Sequence, residues 1–197
     1  MSILEVIGLQ LQNKFIYSIY ISVAQRYFVF LPQFVTLNIK PNTLFINQLV
    51  ETNLSEVKPF INAYRNQLLS VWERSVLASH DFLAQKDFAL ISAMMSEVDF
   101  NAFGVYCLMS KNEMIGFIGV DAEKIEMLFV DPKYFGKGYG RKLMNFAIDV
   151  LDARLVDVNE QNNAALAFYQ NMGFEVIERT AKDGQGMDYP LLKMKLQ

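Results

Sequence analysis

The apolar positions of this chain change period along its length, and the changes divide it into segments. In ETNLSEVKPFINAYRNQLLSVWERSVLASH (51–80) the residues Ile61, Tyr64, Leu68, Leu69, Val71, Trp72 and Val76 recur at near-helical spacing. That spacing predicts a helix with Pro59 near its beginning, where proline is tolerated. DFLAQKDFALISAMMSEV (81–98) predicts a second helix with Asp81 as its N-cap. From Ala102 the period shortens to two. AFGVYCLMS, EMIGFIGVDA and KIEMLFVD predict three strands in a meander, the first two joined by a turn at Lys111-Asn112. YGRKLMNFAIDVLDA is again helical, with Leu143, Met144, Ala147, Ile148 and Leu151 on one face. RLVDVN predicts a strand, NNAALAFYQNMG a helix stopped at Gly173, and FEVIERTA and YPLLKMKL a closing hairpin. Upstream, TLFINQLV (43–50) is β-branched and aromatic enough for another strand. The expected fold class is α/β (α+β): a mixed central sheet flanked by helices over residues 43–197, preceded by an N-terminal extension at 1–42.

The extension contains an apolar run, FIYSIYISVAQRYFVFLPQFVTL (15–37), of nearly the length of a membrane span. Gln25 and Arg26 lie in its middle, with Pro32 and Gln33 beyond them. An arginine near mid-span costs about 2.5–3.5 kcal/mol on insertion. No basic cluster precedes the run and no small-residue cleavage site follows it, which argues against a secretory signal. The segment is expected to add a strand or helix to the domain, or to lie upstream of the true start. A membrane anchor is the rival expectation.

Composition narrows the function. The chain is 52% hydrophobic and 20% charged, as in ordinary globular proteins, with a net charge of −3. Nothing in that balance supplies the clustered positive surface that nucleic acid requires. One cysteine, Cys107, allows no internal disulfide and suggests a reducing compartment, so a cytoplasmic location is expected. With one histidine and one cysteine, a His/Cys metal site is not available, and no metal is expected. Cys107 is mid-strand without an identifiable base partner and reads as core.

The chemistry concentrates in YFGKGYGRKL (134–143), where three glycines occupy alternate positions between a strand and a helix. The first N–H groups of a helix have no intrahelical partner and carry the positive end of its dipole, which together make an anion site. Gly136, Gly138 and Gly140 remove side chains from that site, and Arg141 and Lys142 add positive charge. A pyrophosphate cradle is expected. The spacing fits neither a P-loop, which needs Gly-Lys-Ser/Thr, nor the G-x-G-x-x-G of a dinucleotide fold.

Two blocks in this order resemble the GNAT superfamily of acyl-CoA-dependent N-acetyltransferases. The first is LFVDPKYFGKGYGRKLM, with Gly138 and Gly140 at the family's glycine positions. The second is NEQNNAALAFYQNMGFEV, with Asn162, Ala165, Phe168-Tyr169 and Gly173-Phe174. The likeness covers residues 43–197, and WERSVLASHDFL, VNEQN and YPLL resemble small bacterial members of the YjaB type. One position departs: where the family usually has Gln or Arg, this chain has Phe135.

The resemblance implies an acetyl-CoA-dependent transfer of an acetyl group to a primary amine, by direct attack. The acceptor would be a protein lysine or N-terminus, or a small-molecule amine. It implies that the pantetheine arm runs along Leu128, Phe129 and Val130, and that the pyrophosphate lies on Gly136, Lys137, Gly138, Tyr139, Gly140 and Arg141. Asn162 would fix the arm. Tyr169 would be the acid that protonates the leaving thiolate. For the base, Glu126 is implied by its place on the cofactor strand. Strict alternation puts it on one face with Leu128 and Val130, and opposite Ile125 and Met127. His80 is the alternative base, chosen for its intrinsic pKa near ~6.5. Tyr189 is a candidate for the acceptor pocket. The expected partner is an amine acceptor, without nucleic acid or membrane, and a homodimer is compatible. The alternative function is a catalytically silent GNAT-fold protein that binds acyl-CoA.

Overall fold

The meander expected from residue 102 onward is the centre of the fold. The computed structural model describes residues 55–197; the extension at 1–42 and the strand expected at 43–50 lie outside the described residues. A seven-stranded sheet runs in the order β1-β2-β3-β4-β5-β7-β6. Its strands are β1 (Ser55–Pro59), β2 (Gly104–Ser110), β3 (Glu113–Asp121), β4 (Lys124–Val130), β5 (Leu155–Asn159), β6 (Phe174–Thr180) and β7 (Leu191–Leu196). The helices are α1 (Arg65–Ser79), α2 (Gln85–Glu97), α3 (Tyr139–Leu151) and α4 (Asn163–Gln170). This is the mixed sheet flanked by helices that the periodicity predicts.

The strand pairings explain where a ligand can enter. β1 to β4 are antiparallel, as are β5 with β7 and β7 with β6. β4 and β5 are parallel, and they pair only at Lys124–Leu155 and Ile125–Val156. Beyond Ile125 the two strands part, and the β5-facing edge of residues 126–130 has no described strand beside it. The sheet opens at its middle.

β3 is buried at every position from Met114 to Val120, because helices cover both faces of the sheet. On one face Ile118, Val120, Ile125 and Val156 meet Leu143, Met144 and Ala147 of α3. On the other, Cys107, Met109 and Phe117 meet Leu68, Val71, Trp72 and Val76 of α1. Cys107 belongs to this second core, and burial pushes its thiol up to about 12. Among the described residues no helix is long and apolar enough to cross a membrane.

Three local expectations are corrected. Residues 55–59 are a strand, not the first turns of a helix: they pair antiparallel with Tyr106–Ser110 at the sheet edge. Pro59 accounts for the change, since it biases the preceding residue toward extended backbone and is accepted at an edge. The helix begins only at Arg65, after a 3-10 turn at Asn62–Tyr64. Likewise Asp81 does not cap α2, whose N-cap is Ala84 without a side-chain bond. The Ala84 N–H is met instead by the Tyr189 hydroxyl, 3.1 Å away and 105 residues along the chain. The α4 helix ends at Gln170 and reaches Gly173 through a turn in which that glycine takes φ 92°.

One buried carboxylate connects the layers. Asp131 follows β4, is 3% exposed, and caps the 3-10 turn Pro132–Tyr134 by accepting the Lys133 N–H at 3.2 Å. Its own N–H donates to the Ile115 carbonyl (2.8 Å), and its Oδ2 accepts from Arg74 Nε and Nη2 at 2.9 and 2.6 Å. Arg74 is on α1, so the helix is fixed to the turn that launches the glycine loop. Replacing Asp131 with Ala removes a cap worth about 1 kcal/mol and the fork to Arg74. Because the Arg74 side chain is half exposed and can rehydrate, the total loss is expected at about 1–3 kcal/mol by urea unfolding. An unchanged midpoint would show that the pair does not hold the turn.

Candidate active site

The glycine loop joins the end of β4 to the start of α3, and two of its glycines adopt backbone that other residues avoid. Gly136 has φ 70°, and Gly138, the N-cap of α3, has φ 86°. A Cβ at either would meet no described heavy atom within 4 Å, so both positions face open space. Gly140 differs: it is already helical, and a Cβ there would rest 3.6 Å from the Phe168 ring. The loop therefore exposes the amides of the first turn of α3 beside Arg141, which makes no ion pair with a described residue.

These groups line a cleft of about 470 Å³ at the opening between β4 and β5. Leu128, Phe129 and Val130 form its floor; Gly136, Gly138, Tyr139, Gly140 and Arg141 form the loop end. Asn162, Ala165, Phe168 and Tyr169 come from α4 and its cap, and Ser75, Ser79 and His80 from the end of α1. Residues more than ninety positions apart thus share one wall. The two serines were not expected from the sequence, where they read only as polar positions on a helix.

Asn162 caps α4, accepting the Ala165 N–H on Oδ1 at 3.0 Å, which leaves its amide N–H groups as donors. Tyr169 is 7% exposed, packed edge-on against Phe168 and Phe174, and its hydroxyl makes no hydrogen bond to a described residue. Burial raises its pKa well above the ordinary phenol value, so the proton stays on the oxygen at any working pH.

His80 is the C-cap of α1, its N–H donating to the Val76 carbonyl at 2.9 Å. The neighbouring Ser79 hydroxyl donates to the Ser75 carbonyl (2.7 Å) and lies 2.8 Å from His80 Nδ1. A hydroxyl has one proton, and the Ser75 carbonyl takes it. The Nδ1 must therefore carry the hydrogen and donate to Ser79 Oγ, which leaves Nε2 as a bare acceptor. Burial lowers the His80 pKa below its ordinary value, partly opposed by the Val76 carbonyl, which favours the protonated ring, and by Asp81. Both effects favour a neutral ring able to take a proton.

Four further residues do not join the cleft as expected. Glu126 is not among its lining residues. The β3–β4 register slips between Gly119–Met127 and Val120–Ile125, which makes Glu126 the extra residue of a bulge. Alternation therefore breaks: Ile125 joins the core of Leu128 and Val130, while Met127 joins that of Phe129. The Glu126 carboxylate pairs with Lys124 at 3.2 Å, which also holds Asp157 at 2.9 Å. Lys137 turns its ammonium over the Tyr134 ring, 5.3 Å from the centroid. Lys142 leaves the loop for β1, donating to Ser55 O and Oγ at 2.6 and 2.9 Å. Tyr189 donates to Asp87 Oδ2 at 2.7 Å, above the start of α2. Among the described residues no group of three or more His, Cys, Asp or Glu is placed to hold a metal ion.

Comparison with known proteins agrees with this geometry. Residues 101–176 match the model of the acetyltransferase (GNAT) domain family. The chain is 35% identical over 128 residues to the peptidyl-lysine N-acetyltransferase YjaB of Salmonella typhimurium, a span of 65% of this chain and 88% of the relative. The chain belongs to the GNAT family. It is an N-acetyltransferase by that membership, and GNAT proteins bind acetyl-CoA. A solution structure of apo YjaB from Escherichia coli superposes with a TM-score of 0.67 at 28% identity, covering 72% of this chain and 96% of that one. PaiA N-acetyltransferase from Thermoplasma acidophilum, solved with coenzyme A, shares the GNAT fold at 18% identity and a TM-score of 0.59, over 73% of this chain and 99% of that one.

His80 is the only histidine in the chain, so its ring titrates in NMR without overlap. Its midpoint is expected below ~6.5, the value of a free imidazole. With the folded value depressed, the associated stability is present above about 6.5 and lost as pH falls through the folded midpoint. A midpoint at or above the free value would contradict the buried, Nδ1-protonated ring.

Proposed function

We propose that this chain transfers the acetyl group of acetyl-CoA to the side-chain amine of a protein lysine, by direct attack within the β4–β5 cleft. The observation that carries this reading is the convergence of the glycine loop, the open β4 edge, Asn162 and Tyr169 with His80 on one cleft. The residues fit coenzyme A. Positive-φ glycines and the first amides of α3 suit a pyrophosphate, with Arg141 as the added cation. The unpartnered edge of residues 128–130 can pair with the amides of a pantetheine arm as an added strand would, and Asn162 can donate to its carbonyls. Coenzyme A supplies the acetyl group as a thioester.

An acceptor lysine has a pKa near ~10.4 and arrives charged. A second cleft of about 320 Å³ adjoins the first, with His80 in both walls. Val76, Leu83 and Phe88 line it with apolar surface, and Asp81 adds a carboxylate. Such walls suit an aliphatic stem that ends in a cation, and the YjaB relative's name specifies a peptidyl-lysine substrate. His80 Nε2 accepts the ammonium proton, and Ser79 holds the ring in the tautomer that makes this nitrogen the acceptor. The freed amine attacks the acetyl carbonyl. Tyr169 then donates its hydroxyl proton to the departing sulfur, and the proton that the attacking nitrogen sheds as the amide forms returns to the phenolate. The phenol is a weak acid here, yet the same burial disfavours the thiolate and raises its proton affinity.

Turnover is tested by release of free thiol from acetyl-CoA in the presence of a lysine peptide. Binding without thiol release by the wild-type chain would instead support a silent acyl-CoA binder. Tyr169→Phe is expected to lower kcat about 10²-fold and leave the KM for acetyl-CoA within about twofold. No change in kcat would remove the acid role.

Ser79 is assigned as a positioning residue. Ser79→Ala is expected to lower kcat by about tenfold and to move the acid limb of the kcat/KM profile, with Ser79→Thr restoring both. In Glu126→Gln the limb should stay in place. Loss of the limb in Glu126→Gln, with Ser79→Ala unaffected, would transfer the base to Glu126.

A further inference from the structure

Phe135 is the one exposed large apolar side chain that also lines the active cleft among the described residues. It is 46% exposed, whereas the other exposed large apolar residues, such as Val150, Val176 and Ile177, do not line this cleft. Its position is not that of a loose loop residue. It is the C-cap of the turn Pro132–Tyr134, with its N–H donating to the Pro132 carbonyl at 3.1 Å. The Asp131 cap and the Arg74 fork fix the same turn from its other end. A phenyl ring left in water on a fixed backbone is a surface prepared for a partner.

The neighbouring side chains say which partner. Tyr134 is already engaged, packed edge-on against Tyr139 at 5.6 Å with Lys133 and Lys137 over its ring. Phe135 stacks on no described aromatic ring. Lys137 and Lys142 are drawn away, so Arg141 is the remaining loop cation in the cleft. Phosphate recognition therefore rests on Gly136 to Arg141. The Cα of Phe135 is one peptide, about 3.8 Å, from that of Gly136. What lies next to a pyrophosphate in coenzyme A, on the side away from the thioester, is adenosine. Its base is a planar π surface that stacks on aromatic side chains without needing hydrogen-bond partners.

We propose that Phe135 is the platform on which the adenine ring of coenzyme A stacks, so that this chain holds the nucleotide end of its donor by ring contact at a position with no charged side chain. The inference rests on the acetyl-CoA reading above and adds a subsite to it.

The test compares two donors that differ by the 3′-phosphoadenylyl group, which carries the adenine and two of the three phosphates: acetyl-CoA and S-acetyl-4′-phosphopantetheine. Binding is measured by calorimetry with coenzyme A and with 4′-phosphopantetheine, alongside kcat/KM for the two acetyl donors. Base–aromatic stacking of ordinary strength corresponds to a loss of about 5- to 150-fold in coenzyme A affinity for Phe135→Ala. The truncated ligand and donor should change by less than about twofold. Phe135→Trp should keep the affinity, and its added indole fluorescence, measured against the wild-type Trp72 background, should be quenched by coenzyme A and not by phosphopantetheine. Equal losses for both ligands would mean that Phe135 only shapes the loop, and would overturn the proposal. So would an unchanged affinity for coenzyme A in Phe135→Ala. A wild-type chain that binds no coenzyme A would overturn the donor assignment itself, and this subsite with it.

Discussion

The Asp131 carboxylate is the point on which the cleft depends. A strand entering a glycine loop has little to fix its direction, because glycines carry no side chains to pack. Here direction is set one step earlier. Asp131 ends β4, is held to β3 by its own N–H, caps the turn that follows, and receives the fork of Arg74. Each of these donors takes the place of a water that the buried carboxylate has lost. Since Arg74 is one residue before Ser75, the same contact sets the distance between the α1 end and the glycine loop. The loop end and the His80 end of the cleft are thereby joined through one ionic contact.

The opening of the sheet is the complementary constraint. Parallel pairing of β4 and β5 at only two positions leaves backbone polar groups at the centre of a sheet without a strand, which would be costly in a dry interior. The cost is tolerable at a cleft, where water or an extended ligand arm can take the missing place. The same cleft is apolar enough to raise the Tyr169 phenol and lower the His80 imidazole. Those opposite shifts have one cause, since burial penalises the charged form of either group. They leave a protonated phenol and an unprotonated imidazole, the pair that the proposed acyl transfer would use.

Much of this was legible in the sequence, and the residues show why. Gly136 and Gly138 stand between a period-two segment and a period-3.6 segment, so local pattern alone predicts a helix N-terminus with exposed amides. Tyr169 and Asn162 were found through the family block, and the cleft brings both to the loop. What failed were features set by partners distant in the chain. Residues 55–59 are extended because β2 pairs with them, which no spacing within the segment reveals. The alternation argument for Glu126 failed because a bulge is a property of two strands in register, not of one strand's pattern. Lys142 looked like a phosphate ligand by adjacency, but successive helix residues point about 100° apart, and its ammonium reaches Ser55 instead. Ser79 carried no signal at all, because its effect on His80 exists only once its hydroxyl donates to the Ser75 carbonyl.

The division of charge along the cleft follows from these placements. At the loop end the positive contribution comes from the N-terminal amides of α3 and from Arg141, while Lys137 and Lys142 are drawn elsewhere. At the other end, Asp81 stands beside His80, and Asp87 at the start of α2 accepts from Tyr189. An anionic donor and a cationic acceptor would thus be attracted to opposite ends, and each would be repelled from the other's place. Low local dielectric strengthens both effects, and salt should weaken both. Orientation of the two substrates then needs no dedicated side chain for each. It follows from where the helices begin and from which lysines the fold has turned aside.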